Sequence, residues 1–464
     1  MSNLVNLANK SYCLSTRSLY KRLEQSAVQE RSKIFLEPES GQGPYTQNQK
    51  IIFKFPSTNF LDPTTLHFEF NIALAATVGN TRTDFGFYNG CWDVIRRVRV
   101  LAGSTEIIDL DYYNTWVNFN YRTSVNWYTA NTQGQLLEGF NTFPFIAANG
   151  LSPSNPVTSI GCAKRQGTYT HQLHIGLFQV LQYIPLSLIN DLTIELYMET
   201  NSNALFTSTA NASGLSYSVN NCRMYYDRVG FVPKFADAIV STLSSGSNIF
   251  IPFYQVRCHE KSMPQAVDQF TYQINEKVSS LNQVFVIPIP SSVRNSELFN
   301  STGMFSPAAI WRSHQFRLNQ TYFPTYNIET TGQWWMNNFI ATNQYGDPNA
   351  PGFINSIIAG PLMALTYVAN NGFAGNNAAL ILFANYPVAS EYYAYDFERE
   401  KCPDLTSGYN TNSGSTELEF IIKYDSLSSL NSYLSNTGSR LMLFFTLFDA
   451  VLSISGNGIT SVYR

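Results

Sequence analysis

Arg97-Val98-Arg99-Val100-Leu101-Ala102-Gly103-Ser104-Thr105, then Glu106 to Thr115, then Trp116-Val117-Asn118-Phe119, has a counterpart about 217 residues further along the chain. The counterpart is Ser313-His314-Gln315-Phe316-Arg317-Leu318-Asn319-Gln320-Thr321, then Tyr322 to Ile328, with Trp335-Met336-Asn337-Asn338-Phe339 after a slightly longer gap. Each copy reads as a strand, a tight polar turn at Ala102-Gly103-Ser104 or Asn319-Gln320, a second strand, and a short aromatic helix or turn that packs back on the sheet. Recurrence of one supersecondary unit at a fixed offset points to a duplicated architecture.

Short alternating segments flank both copies. In Leu66-His67-Phe68-Glu69-Phe70-Asn71-Ile72 every second residue is apolar, the period of a strand with one face in a core and the other outside. The same alternation returns at Ile194 to Met198, Phe270 to Ile274 and Leu418 to Tyr424, while Val284 to Ile289 and Leu441 to Phe448 are continuously apolar and predict strands buried on both faces. Gly/Asn/Ser/Thr/Pro-rich stretches at about 129–168, 200–216, 341–378 and 402–415 predict long surface loops.

Two segments stand apart from the strands. Residues 1–45 carry six basic residues against two acidic ones before Ile34, and Ser15 to Arg31 sets Leu19, Leu23 and Ala27 on one helical stripe beside Arg17, Lys21 and Arg22. This predicts an amphipathic arm, cut off from the body by Pro38 and the Gly41-Gln42-Gly43-Pro44 turn. Near the middle, Pro233 to Gly246 begins with proline, ends with glycine and spaces Phe235, Ile239 and Leu243 at i, i+4 and i+8, which predicts a linker helix. The expected division is an arm at 1–45, a first half at 46–232, the linker at 233–247 and a second half at 248–464.

Length and composition agree with two large halves. A chain of 464 residues holds two or three domains at about 100–200 residues each. Charged residues make up 13% of it, against roughly 25% in an average soluble domain. Ionic side chains are costly to bury at the centre of an interface, so a sparsely charged surface fits one that neighbouring molecules cover. The net charge of −3 gives no global attraction to nucleic acid, which leaves the basic residues near the N-terminus as the electrostatic contact cluster. Cys13, Cys91, Cys162, Cys222, Cys258 and Cys402 lie far apart with no C-x-x-C pair, so buried thiols are expected rather than a zinc ribbon or disulfide scaffold. The start of the chain lacks the pattern of a signal peptide, and no apolar run reaches the ~18 residues of a membrane span; synthesis and residence in the cytosol are expected.

The chemical candidates are few. His171 and His174 flank Leu173 in an alternating segment, which would put the two imidazoles on opposite strand faces and argues against a metal pair. Asp109 and Asp111 follow a strand, where carboxylates support turns. Arg96, Arg97 and Arg99 lie on a strand and fit salt bridges to a neighbouring sheet or subunit. Glu391, Asp396, Glu398, Glu400 and Asp404, mixed with Tyr392, Tyr393, Tyr395, Arg399 and Lys401, form the one acidic cluster. A glycosidase would need two carboxylates facing across a cleft, and tyrosines suit a sugar platform. A subunit interface built from Tyr392, Tyr393, Tyr395, Glu398 and Arg399 accounts for the same residues. No nucleophile elbow, P-loop, zincin helix or dinucleotide fingerprint stands in a fitting context, so no catalytic centre, metal or cofactor is expected.

Phe55-Pro56-Ser57-Thr58 followed by the Leu66 strand, Ile95 to Ser104 with Asp109-Leu110-Asp111-Tyr112-Tyr113-Asn114, and Phe316 to Pro324, in this order and in a two-half layout, resemble the double jelly-roll major capsid proteins of double-stranded DNA viruses. The likeness is to the PRD1 and adenovirus lineage, and most to virophages and polinton-like viruses; it runs from about residue 48 to the C-terminus. The resemblance implies an all-β fold of two consecutive eight-stranded jelly-roll sandwiches with short helices, a linker helix and an N-terminal arm. It implies a structural subunit, not an enzyme, of an icosahedral capsid. Three chains would form a pseudo-hexameric capsomer that meets neighbouring capsomers, penton proteins and minor capsid proteins. The location would be the virion, assembled in the host cytoplasm or nucleus. The long loops would form an outer crown, and the arm would face inward, where Arg17, Lys21, Arg22, Arg31 and Lys33 could meet an internal membrane, the genome or a minor capsid protein. Pattern alone also admits a carbohydrate-binding or carbohydrate-active β-sandwich, or a minor capsid or spike protein of the same fold.

Overall fold

The computed structural model describes residues 28–75, 85–140 (apart from 88 and 126–128), 166–207 (apart from 190), 214–264, 267–295 (apart from 292 and 293), 311–342, 392–398, 408–412, 417–424, 439–456 and 460–464. Eight principal strands build the first half: β1 (Val28–Leu36), β2 (Lys50–Lys54), β3 (Phe60–Ala75), β4 (Ile95–Ala102), β5 (Thr105–Leu110), β6 (Gly167–Gln172), β7 (Leu192–Met198) and β8 (Ser216–Phe231). Eight more build the second: β9 (Ile249–Met263), β10 (Gln269–Ile274), β11 (Leu281–Pro290), β12 (Trp311–Leu318), β13 (Thr321–Ile328), β14 (Tyr393–Asp396), β15 (Leu418–Tyr424) and β16 (Arg440–Ile454). A last strand, β17 (Thr460–Tyr463), pairs with the end of β16.

The hydrogen-bonding order makes the duplication explicit. The first half has antiparallel sheets β1-β8-β3-β6 and β2-β7-β4-β5; the second has β9-β16-β11-β14 and β10-β15-β12-β13. Adding eight to every strand number of the first half reproduces the second. Two four-stranded sheets in which the chain crosses back and forth in this order are a jelly roll, so the fold is two consecutive eight-stranded jelly rolls.

Alternation fixes which face each strand buries. In β3, Leu66, Phe68, Phe70 and Ile72 are buried, and His67, Glu69 and Asn71 between them are not. In β11 the consecutive residues Val284, Phe285, Val286 and Ile287 are all buried, as are Met442 to Phe445 of β16. These two strands are covered on both faces, as their unbroken apolar runs predict. The buried apolar residues of both sandwiches form one contiguous core from Tyr45 to Ile454.

Among the described residues, the helices longer than ten residues are α1 (Tyr113–Thr123), α2 (Pro233–Ser244) and α3 (Thr331–Ala341). In α2, Pro233 occupies the first turn, where a missing N–H costs nothing, and the helix stops before Gly246 at φ +84°. Its Phe235 and Ile239 pack on Phe60, Tyr183, Val229 and Phe231 of the first sandwich, so the linker is also a lid on that sandwich. The two polar turns of the repeat hold a left-handed residue each, Gly103 at φ 57° and Asn319 at φ 56°. Glycine has no Cβ to clash there, and asparagine is among the side chains that tolerate the conformation.

The expected arm needs correction at its inner end. Residues 28–36 do not continue a helix; they are strand β1, paired along its length with β8. Val28, Ser32, Ile34 and Leu36 lie toward the sheet while charged neighbours point outward, and those charges mask the alternation in the sequence. The proposed helical stripe up to Ala27 lies outside the described residues.

Candidate functional site

The repeated hairpin-plus-helix unit is used differently in the two halves. In the first, Tyr113 of α1 points into its own sandwich, with its hydroxyl 2.8 Å from His171 Nε2 and accepting from His174 N at 2.9 Å. On its other side, Trp116 and Phe119 of α1 pack against Phe285, with ring centroids 6.0 and 4.8 Å away, and Trp116 stands 5.4 Å from Phe445. This is the aromatic seam between the sandwiches, and it supplies the outer cover of β11 and β16. The Tyr112 hydroxyl donates to Glu260 across the same junction, and Gln255 Nε2 donates to the Ile107 carbonyl at 3.2 Å.

In the second half the helix turns inward only. Trp334 Nε1 and Asn338 Nδ2 both donate to the Tyr392 carbonyl, at 2.8 and 3.0 Å, and Asn338 Oδ1 accepts from Ala394 N at 2.8 Å, which seats α3 on β14. Thr330 caps the helix through a reciprocal bond with Gln333. The outward side carries Met336 at 39% exposure, and β13, which Asn337 of α3 touches through the Tyr326 hydroxyl at 3.4 Å, exposes Tyr322 at 41% and Tyr326 at 49%. Apolar groups of this size are left in water on one flank of the chain.

A second apolar strip lies on the first sandwich. Phe35 of β1, Tyr225 of β8 and His67 of β3 stand side by side in register, with the His67 and Tyr225 rings stacked at 5.2 Å and Phe35 51% exposed. In the second sandwich the corresponding strands carry Cys258, Phe445 and Phe285 in one row, the row that α1 covers.

The outer face of β2-β7-β4-β5 holds a charged row. Lys50 Nζ donates to Glu195 Oε1 at 2.7 Å, Arg99 Nη1 to Glu195 Oε2 at 3.2 Å, and Arg99 Nη2 to Glu106 Oε2 at 3.0 Å. Arg97 Nε donates to Asp109 Oδ1 at 2.6 Å and Arg96 Nε to Asp111 Oδ1 at 3.2 Å. Burial pushes the Glu195 carboxyl up, but the bonds from Lys50 and Tyr197 outweigh it and hold the group below its ordinary range. In the second half, among the described residues, the central pair persists, Arg317 Nε to Glu419 Oε2 at 2.8 Å, on the strands equivalent to those of Arg99 and Glu195. A buried acid serves the other sheet of this half: Glu276, 2% exposed, accepts from Arg257 at 2.7 Å and His259 at 2.9 Å on β9 and from Thr446 at 3.0 Å on β16.

One polar cluster has the donor chemistry to hold a metal. Beyond Gln172 the chain leaves strand β6, so the alternation that would separate His171 from His174 stops, and their rings stack with centroids 5.7 Å apart. Glu138 closes the group: its Oε1 lies 2.7 Å from His171 Nδ1 and accepts from Gln172 N at 3.1 Å, and its Oε2 accepts from the Tyr121 hydroxyl. One ligand atom from each of the three residues lies within 4.8 Å of the others. Burial pulls His174 down to about 4, so its imidazole is neutral at neutral pH.

No protein-family model matches the chain, and no curated protein matches its sequence. Solved structures do match its fold. The structure of PBCV-1 VP54 fitted into a reconstruction of the virophage Sputnik has a TM-score of 0.57 at 10% identity, covering 96% of this chain and 99% of that one. The Faustovirus major capsid protein gives 0.56 at 10% identity, covering 94% and 92%, and the mavirus major capsid protein 0.52 at 10% identity, covering 95% and 92%. This chain has the double jelly-roll fold of those capsid proteins.

Within the double jelly roll, several expected site residues take other roles. Tyr392 and Tyr393 are wholly buried in a single chain, Tyr393 against His314 and Phe420, and the Tyr395 ring packs on Phe316, Phe323 and Phe397. They line the core of the second sandwich, so neither an exposed interface nor a sugar platform can be built from Tyr392 and Tyr393. Glu398 closes a local turn by donating its N–H to Asp396 at 3.0 Å, and Arg399 lies outside the described residues. Arg31 is committed to Asp227 at 2.7 Å and Asp62 at 2.8 Å, and Lys33 is on β1 with it; Arg17, Lys21 and Arg22 lie outside the described residues. Asp109 and Asp111 are the ion-pair partners of Arg97 and Arg96, and Asp111 also accepts from Tyr112 N at 3.0 Å as a turn would have it. Cys91 and Cys222 are buried free thiols and Cys258 is partly covered. The exposed Phe35, Met336, Tyr322 and Tyr326 were not singled out by sequence. The available signal was apolar residues at polar phases of β1, β13 and α3.

Proposed function

We propose that this chain is the major structural subunit of an icosahedral viral capsid, and that three copies close head to tail into a pseudo-hexagonal capsomer. It acts by assembly, not by catalysis. The observation that carries this reading is the unequal covering of two equivalent helices: α1 is roofed by the next sandwich of its own chain, whereas Met336 of α3 and the Phe35-Tyr225-His67 strip face water in the single chain. Seating α3 of one copy over the β1-β8-β3 surface of the next repeats the internal seam once more. A head-to-tail contact is heterologous, and three of them close a ring of six sandwiches. Such capsomers would meet one another in the shell, with penton and minor capsid proteins filling the remaining positions. Arg17, Lys21 and Arg22, with the rest of residues 1–27, would turn toward the particle interior and meet a membrane, the genome or a minor capsid protein.

Light scattering of the purified chain tests this. The expected mass is three times that of the chain, with hexagonal outlines by electron microscopy; a stable monomer at micromolar concentration would overturn the reading. Deleting residues 1–27 should leave that mass unchanged and lower the yield of filled particles. Particles unchanged in yield and content would remove the role given to the arm.

A further inference from the structure

Glu138, His171 and His174 come from two separate places in the fold: the helical turn Gln135–Glu138 and the end of β6 with the residues just beyond it. We propose that they form a binding site for a divalent transition-metal ion of the zinc class, which clamps the 130–138 segment onto the first sandwich. Two imidazoles and a carboxylate are a donor set that zinc favours, with bonds of about 2.0–2.2 Å and one position left for water. Ligand atoms around such an ion stand about 3.4 Å apart, and the three groups already lie within 4.8 Å, so side-chain rotation of about 1 Å brings them in. Among the described residues no fourth donor of this kind joins the cluster.

The surroundings suit a metal as well as the donors do. Ligating histidines hold their free ring N–H on an acceptor, and the Tyr113 hydroxyl stands 2.8 Å from His171 Nε2, which leaves Nδ1 for the ion. The Tyr121 hydroxyl occupies Glu138 Oε2 and leaves Oε1 on the same side as Nδ1. The one bond that ligation displaces is Nδ1 to Oε1; the imidazole then carries its single proton on Nε2, facing the Tyr113 hydroxyl, and both freed atoms bind the ion. The His174 ring makes no hydrogen bond among the described residues, so it is a donor with nothing to give up. Gly139, at φ +66°, lets the chain turn directly after Glu138, and a Cβ there would stand 2.8 Å from the Tyr169 ring. The site stands independently of the capsid reading.

The test is titration of the full chain, first stripped with a chelator, with Zn²⁺ by calorimetry and Co²⁺ by visible absorption. One ion per chain and a rise in melting temperature are expected. His174→Ala should weaken binding more than about 100-fold, since even second-layer losses cost 10–100-fold. Its metal-free melting temperature falls only by the packing its ring loses against His171 and Tyr121, and His174→Gln, closer in volume, separates that loss from the loss of metal. Tyr113→Phe should weaken binding about tenfold. No uptake by the wild-type chain, or undiminished uptake by the His174 variant, would overturn the proposal.

Discussion

Helices α1 and α3 begin from the same strand-turn-strand unit, yet α1 sits between two sandwiches and α3 on the flank of one. Trp116 and Trp334 are each the fourth residue of their helix, counted from Tyr113 and Thr331. Trp116 reaches into the neighbouring sandwich through Phe285 and Phe445, whereas Trp334 bonds back to its own strand through the Tyr392 carbonyl. The repeat supplies two equivalent helices, and within the single chain the other sandwich covers α1. The outer sheets differ in the same direction: among the described residues, the first carries the charged row from Lys50 to Asp109, whereas the second keeps Arg317 with Glu419 and exposes Tyr322.

The sharpest way to break this comparison is to remove the two tryptophans separately. Trp116→Ala and Trp334→Ala should each cost ~3–5 kcal/mol, as large aromatic truncations do in packed cores. Only Trp116→Ala should divide the calorimetric transition into two, because only it lies in the seam. A single transition in both variants would show that the seam does not couple the sandwiches. Next in size is the buried acid. Glu276→Gln leaves Arg257 and His259 beside a neutral group and should lower stability by about 3 kcal/mol. Arg99→Ala, on the exposed row of the first sandwich, should cost less than about 1 kcal/mol and lose that effect in high salt. Equal costs, read from urea unfolding, would contradict the contrast between a buried and a surface network.

A pH dependence in the second sandwich comes from its buried histidine, His314. Burial pulls His314 from 6.5 to about 3. The unfolded chain therefore takes up this proton first, so the stabilisation is complete above about 6.5 and is lost as pH falls toward 3. His314→Leu should flatten the decline in melting temperature across that window. An unchanged slope would assign the acid sensitivity to other groups.

The duplicated fold was legible because it is written in side-chain period and turn chemistry. Leu66 to Ile72 announces β3, the unbroken runs at Val284 and Leu441 announce strands covered twice, and Gly103 and Asn319 mark matching turns. The repeat was read one residue out of step at its end, with Trp335 matched to Trp116, because the helix start was not visible in the sequence. The contact surface was far less legible. Tyr392, Tyr393 and Tyr395 look like an interface in a charged stretch, but β14, at the edge of its sheet, is covered by α3, and Tyr392 and Tyr393 are buried there. His171 and His174 look divided by strand alternation, but the strand ends between them. Whether a residue faces water depends on where a strand stops and what lies above it, and neither is local information.

The most direct test of the central claim is the solution mass of the chain beside that of Met336→Asp combined with Tyr326→Asp. Both positions are exposed in the single chain, so the monomer should fold and melt as before. The account predicts a trimer for the wild-type chain and a folded monomer for the double variant. A wild-type monomer, or a trimer that survives both aspartates, would contradict it.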